Sequence, residues 1–263
     1  MNESGDDKVK NSNIGIVILG AGKGKRMDSG DIPKVLVPLY GRPLISHLLH
    51  SIEGVRADTN PIIVVGYKAE MVEAALGNLY RYAVQHEQLG TGHAVIAARE
   101  VAEQAGYENI VVLYGDQPHI PASVINELIE THLRERAAMT LMTVTVPDYE
   151  KWRAAIYNYG RIIRDARGNI TGIVEKKDAN EQQLAVKETN PSFFCFRADW
   201  LWAQLPKLQN KNAQSEYYLT DMLAATVAAG EKVASFSGDP LVALGANTKE
   251  ELRLIEEVMG GKL

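Results

Sequence analysis

Apolar positions along the chain fall into two alternating patterns. Ile14-Gly15-Ile16-Val17-Ile18-Leu19 is a continuous apolar run of strand length, and shorter runs recur at Ile62 to Val65, Tyr82 to Gln85, Ile110 to Tyr114 and Met139 to Val146. Between them apolar residues return at helical spacing: Leu44, Ile45, Leu48, Leu49 and Ile52 lie between Pro43 and the stop signal Gly54. Lys68 to Leu76, ended by Gly77, Thr91 to Ala105, and Pro121 to Arg136 read as further helices. This succession predicts right-handed crossovers and a Rossmann-like α/β fold, with a mostly parallel mixed sheet covered by helices on both faces. Ligands of such sheets collect at the carboxyl ends of the strands, which puts the loop after Leu19, the segment Gln85 to Gly92, and Gly115-Asp116 on one edge.

Past Arg161 the pattern changes to a hairpin, with Arg161 to Arg164, a turn at Ala166-Arg167-Gly168-Asn169, and Ile170 to Glu175. A strand near Phe193 to Phe196, helices at Ala198 to Leu205 and Tyr217 to Ala229, short strands near Val233 and Leu241, and a helix after Asn247 complete the expectation. This half is expected to pack on the same sheet and to form a second wall of the cleft. Residues 1–13 are polar and are expected to be a disordered tail, leaving 14–263 as a single domain.

Composition narrows the function. A net charge of −5 argues against general affinity for nucleic acid or an anionic membrane, and no run reaches membrane-spanning length. The single cysteine, Cys195, excludes an intrachain disulfide and fits a cytoplasmic setting. Cys195 between two phenylalanines, and Trp152, Trp200 and Trp202, read as packing residues. His47 and His50 read as surface residues rather than metal ligands.

Against this acidic background the loop Gly20-Ala21-Gly22-Lys23-Gly24-Lys25-Arg26 concentrates three cations among three alternating glycines. Glycines let backbone N–H groups approach an anion, and the cations add charge that those dipoles lack, so the loop reads as a phosphate cradle or, alternatively, a solvated turn. It departs from a Walker A loop, with Leu19 at the first glycine and Arg26 at the hydroxyl position, and from a dinucleotide fingerprint, with Lys25 at the third glycine.

The loop followed by Pro33-Lys34-Val35-Leu36 resembles the signature of sugar-1-phosphate nucleotidyltransferases. Six further stretches resemble, in order, the uridyltransferase half of the bacterial bifunctional N-acetylglucosamine-1-phosphate uridyltransferase/glucosamine-1-phosphate acetyltransferase family. They are Gln85 to Ala94, Tyr114-Gly115-Asp116, Tyr159 to Asp165, Ile173 to Ala179, Asn212 to Asp221, and Gly245-Ala246-Asn247. The resemblance implies UTP and an aminosugar 1-phosphate as substrates and Mg²⁺ as cofactor; a homo-oligomer is compatible with it. It implies Arg26 and Lys34 as catalytic cations, and Leu19, Gly20, Ala21, Gly22, Lys23, Gln85, Gly90 and Thr91 as nucleotide contacts. Tyr114, Gly115, Gly160, Glu175, Asn190, Tyr218 and Thr220 are implied as sugar contacts, and Asp116 and Asn247 as metal ligands.

Simpler roles stand beside these. Asp116 suits a turn, Asn247 a capping box with Glu250, Thr91 a helix N-cap, and Tyr217 or Tyr218 the core. Gln85 can flip its amide to suit uracil or cytosine. Gly20, Lys25 and Pro191-Ser192 depart from the family's usual alanine, threonine and Thr-Gly. Lys25 is expected to tune triphosphate affinity, and Pro191 to remove a backbone donor from the sugar wall. A uridylyl- or thymidylyltransferase for glucose 1-phosphate is one alternative, and a non-catalytic nucleotide-sugar sensor is another. No acetyltransferase β-helix is expected within the chain.

Overall fold

A computed structural model describes residues 13–27 and 30–262. The tail expected over 1–13 lies outside these apart from Asn13, and so does the Lys25 side chain. Asn13 belongs to the fold, since its carbonyl accepts from the N–H groups of Glu108 and Asn109 at 2.8 and 3.1 Å.

The first half runs β1 (Ile14–Leu19), β2 (Pro38–Leu39), β3 (Arg42–Pro43), α1 (Leu44–Ile52), β4 (Ile62–Val65), α2 (Ala69–Leu76), β5 (Arg81–Val84), α3 (Thr91–Ala97), α4 (Arg99–Gln104), β6 (Asn109–Tyr114), α5 (Ala122–Glu135) and β7 (Met139–Thr145). The second half runs β8 (Gly160–Arg164), β9 (Ile170–Val174), α6 (Glu181–Leu184), β10 (Glu188–Asn190), β11 (Phe194–Arg197), α7 (Ala198–Gln204), α8 (Asp221–Ala228), β12 (Val233–Ser237) and α9 (Lys249–Met259). Short 3₁₀ turns at Lys25–Met27 and Lys34–Leu36 carry the first loop.

One sheet runs in the order β5-β4-β1-β6-β11-β7-β10-β8-β9, with β12 beside β7. The α/β expectation holds: β5, β4, β1 and β6 are parallel neighbours. The order beyond β6 was not legible in the periodicity. β11 arrives from late in the chain and inserts antiparallel between β6 and β7.

The apolar residues of β1 sort by parity: Ile14, Ile16 and Ile18 face one core with Leu48, Ile63 and Leu128, while Val17 and Leu19 face the other with Val95, Leu201 and Leu223. Each such side chain taken fully out of water contributes on the order of 1.5–3 kcal/mol, so both faces need their helices.

β10 and β11 are one strand broken at Pro191-Ser192. The N-terminal piece pairs with β8 and the C-terminal piece with β6, while β7 runs along both. Proline has no N–H for the ladder, and Ser192 takes φ +71°. The sheet divides there into an arm ending at Tyr114 and an arm starting at Gly160. Continuing the β6–β11 register from Phe194↔Val112 sets Ser192 opposite Tyr114.

Several expectations need correction. The helix expected over Thr91 to Ala105 is two helices hinged at Ala98, and the one expected from Tyr217 begins at Asp221. Leu241 lies in a 3₁₀ turn, Pro240–Ala243, because Asp239 caps the N–H of Leu241 and turns the chain. Cys195 is buried, as expected, and burial holds its thiol protonated. Among the described residues no helix is long and apolar enough to cross a membrane.

His132 on α5 is enclosed between Thr140 Oγ1 at 2.9 Å and Asn109 Oδ1 at 3.1 Å. Burial, assisted by the charge of Arg197, lowers its pKa from 6.5 to about 4. The unfolded chain therefore binds a proton that the fold refuses between those values. Stability from this group is complete above pH 6.5 and falls by about 3 kcal/mol as the pH drops to 4. Urea unfolding from pH 7 to 4 is expected to show that slope in the native chain and a shallower one in His132→Gln.

Candidate active site

Three loops meet at the carboxyl edge of the parallel strands. The first leaves β1 with Gly20 N–H donating to Val64 O at 2.8 Å, and Tyr67 N–H donating back to Ala21 O at 3.2 Å. It then turns at Gly24, whose φ is +66°. A Cβ there would stand 2.8 Å from Lys34 Cβ, so only glycine lets the two halves of this loop touch. Met27 and Val35, 2% and 3% exposed, anchor the two 3₁₀ turns in the core and leave Arg26 and Lys34 directed outward.

The second loop extends β6. Gly115 N–H continues the ladder to Leu19 O at 3.0 Å and delivers Asp116. The third is tied to it by Ala246 N–H donating to Asp116 O at 2.9 Å, which brings in Asn247. Lys34 Nζ joins all three, donating to Asp116 Oδ2 and, at 2.8 Å, to Asn247 Oδ1; Arg26 reaches the same oxygen at 3.4 Å. Two hard oxygen donors thus converge on one cation.

The capping alternative for Asn247 is displaced by one residue. Thr248 is the N-cap of α9, accepting from Glu251 N–H at 3.2 Å, and Glu251 Oε2 accepts from Asn247 N–H at 2.7 Å. The Asn247 side-chain amide is therefore not used by the cap and keeps its contacts with Lys34 and Arg26. Tyr159 steadies the same loop: its hydroxyl donates to Ala243 O at 2.7 Å and accepts from Gly245 N–H at 3.2 Å. Glu251 was not singled out in the sequence, and Tyr159 was named only as the first residue of the stretch Tyr159 to Asp165, with no role of its own.

Leu19, Gly20, Ala21, Gly22, Lys34, Gln85, Gly90, Thr91, Tyr114 and Asp116 line one cleft, joined by Gln88 and Glu216, which sequence reasoning passed over. Lys23 is not among the lining residues; its ammonium stands 5.0 Å from the centre of the Tyr67 ring. Gly20 leaves a would-be Cβ 3.2 Å from Val64 O, so the alanine usual there needs a small shift.

Gln85, 4% exposed, donates from Nε2 to Gly90 O at 3.1 Å and lies 3.1 Å from His93 Nδ1. Gly90 is the N-cap of α3 with φ +113°, and a Cβ would meet Tyr217 O at 2.7 Å. Thr91 does not cap the helix; its hydroxyl accepts from Leu219 N–H at 3.0 Å. With Gly92 N–H donating to Tyr217 O at 2.8 Å, these contacts sew the α3 entry to the 217–220 segment.

The other arm carries the expected sugar residues. Glu175 and Gly160 adjoin across the β8–β9 pair, a Cβ on Gly160 falling 3.3 Å from Glu175 Oε1. Thr220 Oγ1 donates to that oxygen at 3.0 Å. Burial, with Asp221 and Asp178 nearby, raises the Glu175 pKa. Tyr218 is 8% exposed and its buried hydroxyl has no partner, whereas Tyr217 packs on the core beneath. Asn190 is buried, with Oδ1 accepting from Ser192 N–H at 3.0 Å.

Arg161, fully buried, donates to Tyr157 O at 3.0 Å and to Tyr159 O, with its guanidinium 5.0 Å from the ring centres of Tyr149 and Tyr157. It clamps the turn that leads into Gly160. Among the described residues no group of three or more His, Cys, Asp or Glu is arranged to hold a metal. His47 contacts Leu39 O at 2.9 Å, and His50 pairs with Glu53 at 3.3 Å.

The contact between Gly24 and Lys34 yields a prediction. Gly24→Ala is expected to lower stability by about 1–3 kcal/mol and to weaken nucleotide binding, since its own positive φ is strained and its Cβ meets the Lys34 side chain at Cβ. Gly22→Ala meets nothing within 4 Å and is expected to fold normally. Denaturant midpoints of the two variants check the contrast.

Residues 16–231 match the family model described as the MobA-like NTP transferase domain. The chain is 40% identical over 251 residues to Bifunctional protein GlmU of Desulfotalea psychrophila, covering 94% of this chain and 71% of that protein. It is 41% identical over 249 residues to the protein of the same name from Heliobacterium modesticaldum, covering 94% of this chain and 52% of the relative. It thus spans about half the length of most of these curated relatives. In three dimensions it resembles a putative glucose-1-phosphate thymidylyltransferase from Bacillus anthracis, with TM-score 0.74, 17% identity, and 95% and 96% of the two chains covered. A UDP-glucose pyrophosphorylase complexed with UDP-glucose superposes with TM-score 0.72 at 18% identity, covering 94% and 98%. These two likenesses establish the nucleotidyltransferase fold. The chain belongs to the MobA-like NTP transferase domain family and is a nucleotidyltransferase.

Proposed function

We propose that residues 14–263 transfer a uridylyl group from UTP to N-acetylglucosamine 1-phosphate, releasing pyrophosphate. The observation that carries this reading is the convergence of Arg26, Lys34, Asp116 and Asn247 beside the cleft lined by Gly20 to Gly22, Gln85 and Gly90. The relatives named Bifunctional protein GlmU support the choice of substrates.

Two anions must meet for this reaction, so positioning and charge neutralisation do the catalytic work. The backbone at Gly20 to Gly22 and the charges of Arg26 and Lys34 face the triphosphate. An oxygen of the sugar phosphate attacks the α-phosphorus as the bond from that phosphorus to the bridging oxygen of the β-phosphate breaks, and pyrophosphate leaves with the electron pair. Arg26 and Lys34 balance the charge that grows on the departing group. Glu175, Thr220, Tyr218 and Asn190 orient the sugar through its hydroxyls and acetamide.

Asp116 and Asn247 suit Mg²⁺, because both present hard oxygens to one point that already holds a cation, the Lys34 ammonium. When bound there, Mg²⁺ would neutralise phosphate oxygens and lower the repulsion between the two substrates.

One observation favours a second acceptor. Asn190 Oδ1 accepts from Ser192 N–H and its Nδ2 donates to Ser192 Oγ at 3.4 Å, which leaves one Nδ2 hydrogen for the acetamide. Glucose 1-phosphate, which lacks the acetamide, is therefore the comparison substrate.

Coupled pyrophosphate release with UTP and each sugar phosphate tests the reading. Turnover is expected with N-acetylglucosamine 1-phosphate and Mg²⁺, and none with chelator. Asp116→Asn and Lys34→Ala are each expected to lose about 10²–10³-fold in kcat while remaining folded. Equal or greater turnover of glucose 1-phosphate would replace the hexosamine assignment.

A further inference from the structure

We propose that His93 is a positioning residue that fixes the Gln85 amide and thereby gives the site its preference for uracil over cytosine. The inference rests on the uridylyltransferase reading above. A free glutamine amide does not discriminate, since it offers N–H to one base and C=O to the other. The structure removes that freedom.

The atom of Gln85 that lies 3.1 Å from the Gly90 carbonyl must be the donor, because a backbone carbonyl only accepts. Nε2 has a second hydrogen, and 3.1 Å away stands His93 Nδ1. With the imidazole neutral and its hydrogen on Nε2, Nδ1 accepts that second bond. Both amide hydrogens are then taken up by protein acceptors, and Oε1 alone remains for the base. An outward acceptor matches the N3–H of uracil and opposes the N3 lone pair of cytosine.

Gly90 by itself leaves this choice open. It holds one hydrogen of Nε2 and leaves the other to swing toward a ligand; His93 takes that second hydrogen out of use. His93 does not line the nucleotide cleft. It lines a separate hollow of about 300 Å³ with Glu87 and Ile96, on which Gln85 also borders, so its effect on the base passes through Gln85. Its place on α3, two residues after Thr91 and three after Gly90, makes the same short helix hold both partners of the amide.

Initial-rate kinetics and equilibrium binding with UTP and CTP test this in the whole chain, comparing the native protein with His93→Leu, His93→Phe and His93→Asn. Leucine and phenylalanine remove the acceptor, and two shapes guard against a variant that fails to fold. Asparagine keeps an acceptor oxygen near the position of Nδ1. In the Leu and Phe variants KM for UTP is expected to rise about tenfold with kcat little changed, and the UTP:CTP ratio of kcat/KM to fall about tenfold. The Asn variant is expected to keep the native ratio. An unchanged ratio in a folded Leu or Phe variant, or an Asn variant as impaired as Leu, overturns the role of His93. UTP binding without uridylyl transfer by the native chain overturns the enzymatic reading alone, and the binding ratio then decides the inference. If the native chain neither binds nor turns over UTP, both fall.

Discussion

The Lys34 ammonium between Asp116 and Asn247 is the interaction on which the site depends. It closes a ring of three loops that the chain separates by 82 and 213 residues, and it does so at the one edge where parallel strands leave unpaired backbone groups. Its partners are only partly exposed, at 13% for Lys34 and 17% for Asp116, so solvent screens the pair weakly. An ammonium held by one carboxylate and one amide oxygen, with a guanidinium on that same amide, concentrates positive charge in a protein whose net charge is −5. That local excess is what a triphosphate requires.

The sheet explains how two sets of candidate site residues come to lie side by side there. β10 and β11 would form one continuous strand if every residue could join the ladder. Pro191 has no N–H and Ser192 adopts a left-handed φ, so pairing passes from β8 to β6 across the gap. The gap separates the arm that carries Tyr114 from the arm that carries Gly160 and Glu175, while β7 holds both in one layer. The position usually occupied by Thr-Gly is thus structural: it marks the break between β10 and β11. A serine at φ +71° stores the strain that a glycine avoids, and its N–H, spent on Asn190, stiffens the pocket side chain in return.

Much of this was legible in the sequence where short-range rules govern. β1, β4 and α1 have the bounds that their apolar runs and Gly or Pro stops predict, and the three candidate loops do lie on one edge. Longer-range facts were not legible. β10 has three residues and an adjacent proline, too little for a period to emerge, and the insertion of β11 between β6 and β7 is a pairing choice that no local pattern carries. The register of the α9 cap needed the side chains of Thr248 and Glu251, since Asn247 and Thr248 satisfy the same residue preference. The orientation of the Gln85 amide depends on a carbonyl five residues away and an imidazole on another turn of the chain, and only the folded geometry shows them together. The neighbour of Lys23, the Tyr67 ring, was likewise not legible in the loop's own sequence.

On the proposed reading, Asp116 and Asn247 form one cation site, occupied by Lys34 with Arg26 beside it and shared with the metal–nucleotide complex when substrates bind. Electron paramagnetic resonance of Mn²⁺, titrated into the protein with UTP and N-acetylglucosamine 1-phosphate, measures that site directly. The account predicts tight Mn²⁺ binding in the presence of both substrates and its loss in Asp116→Asn and in Asn247→Ala. Undiminished Mn²⁺ binding in both folded variants would contradict it.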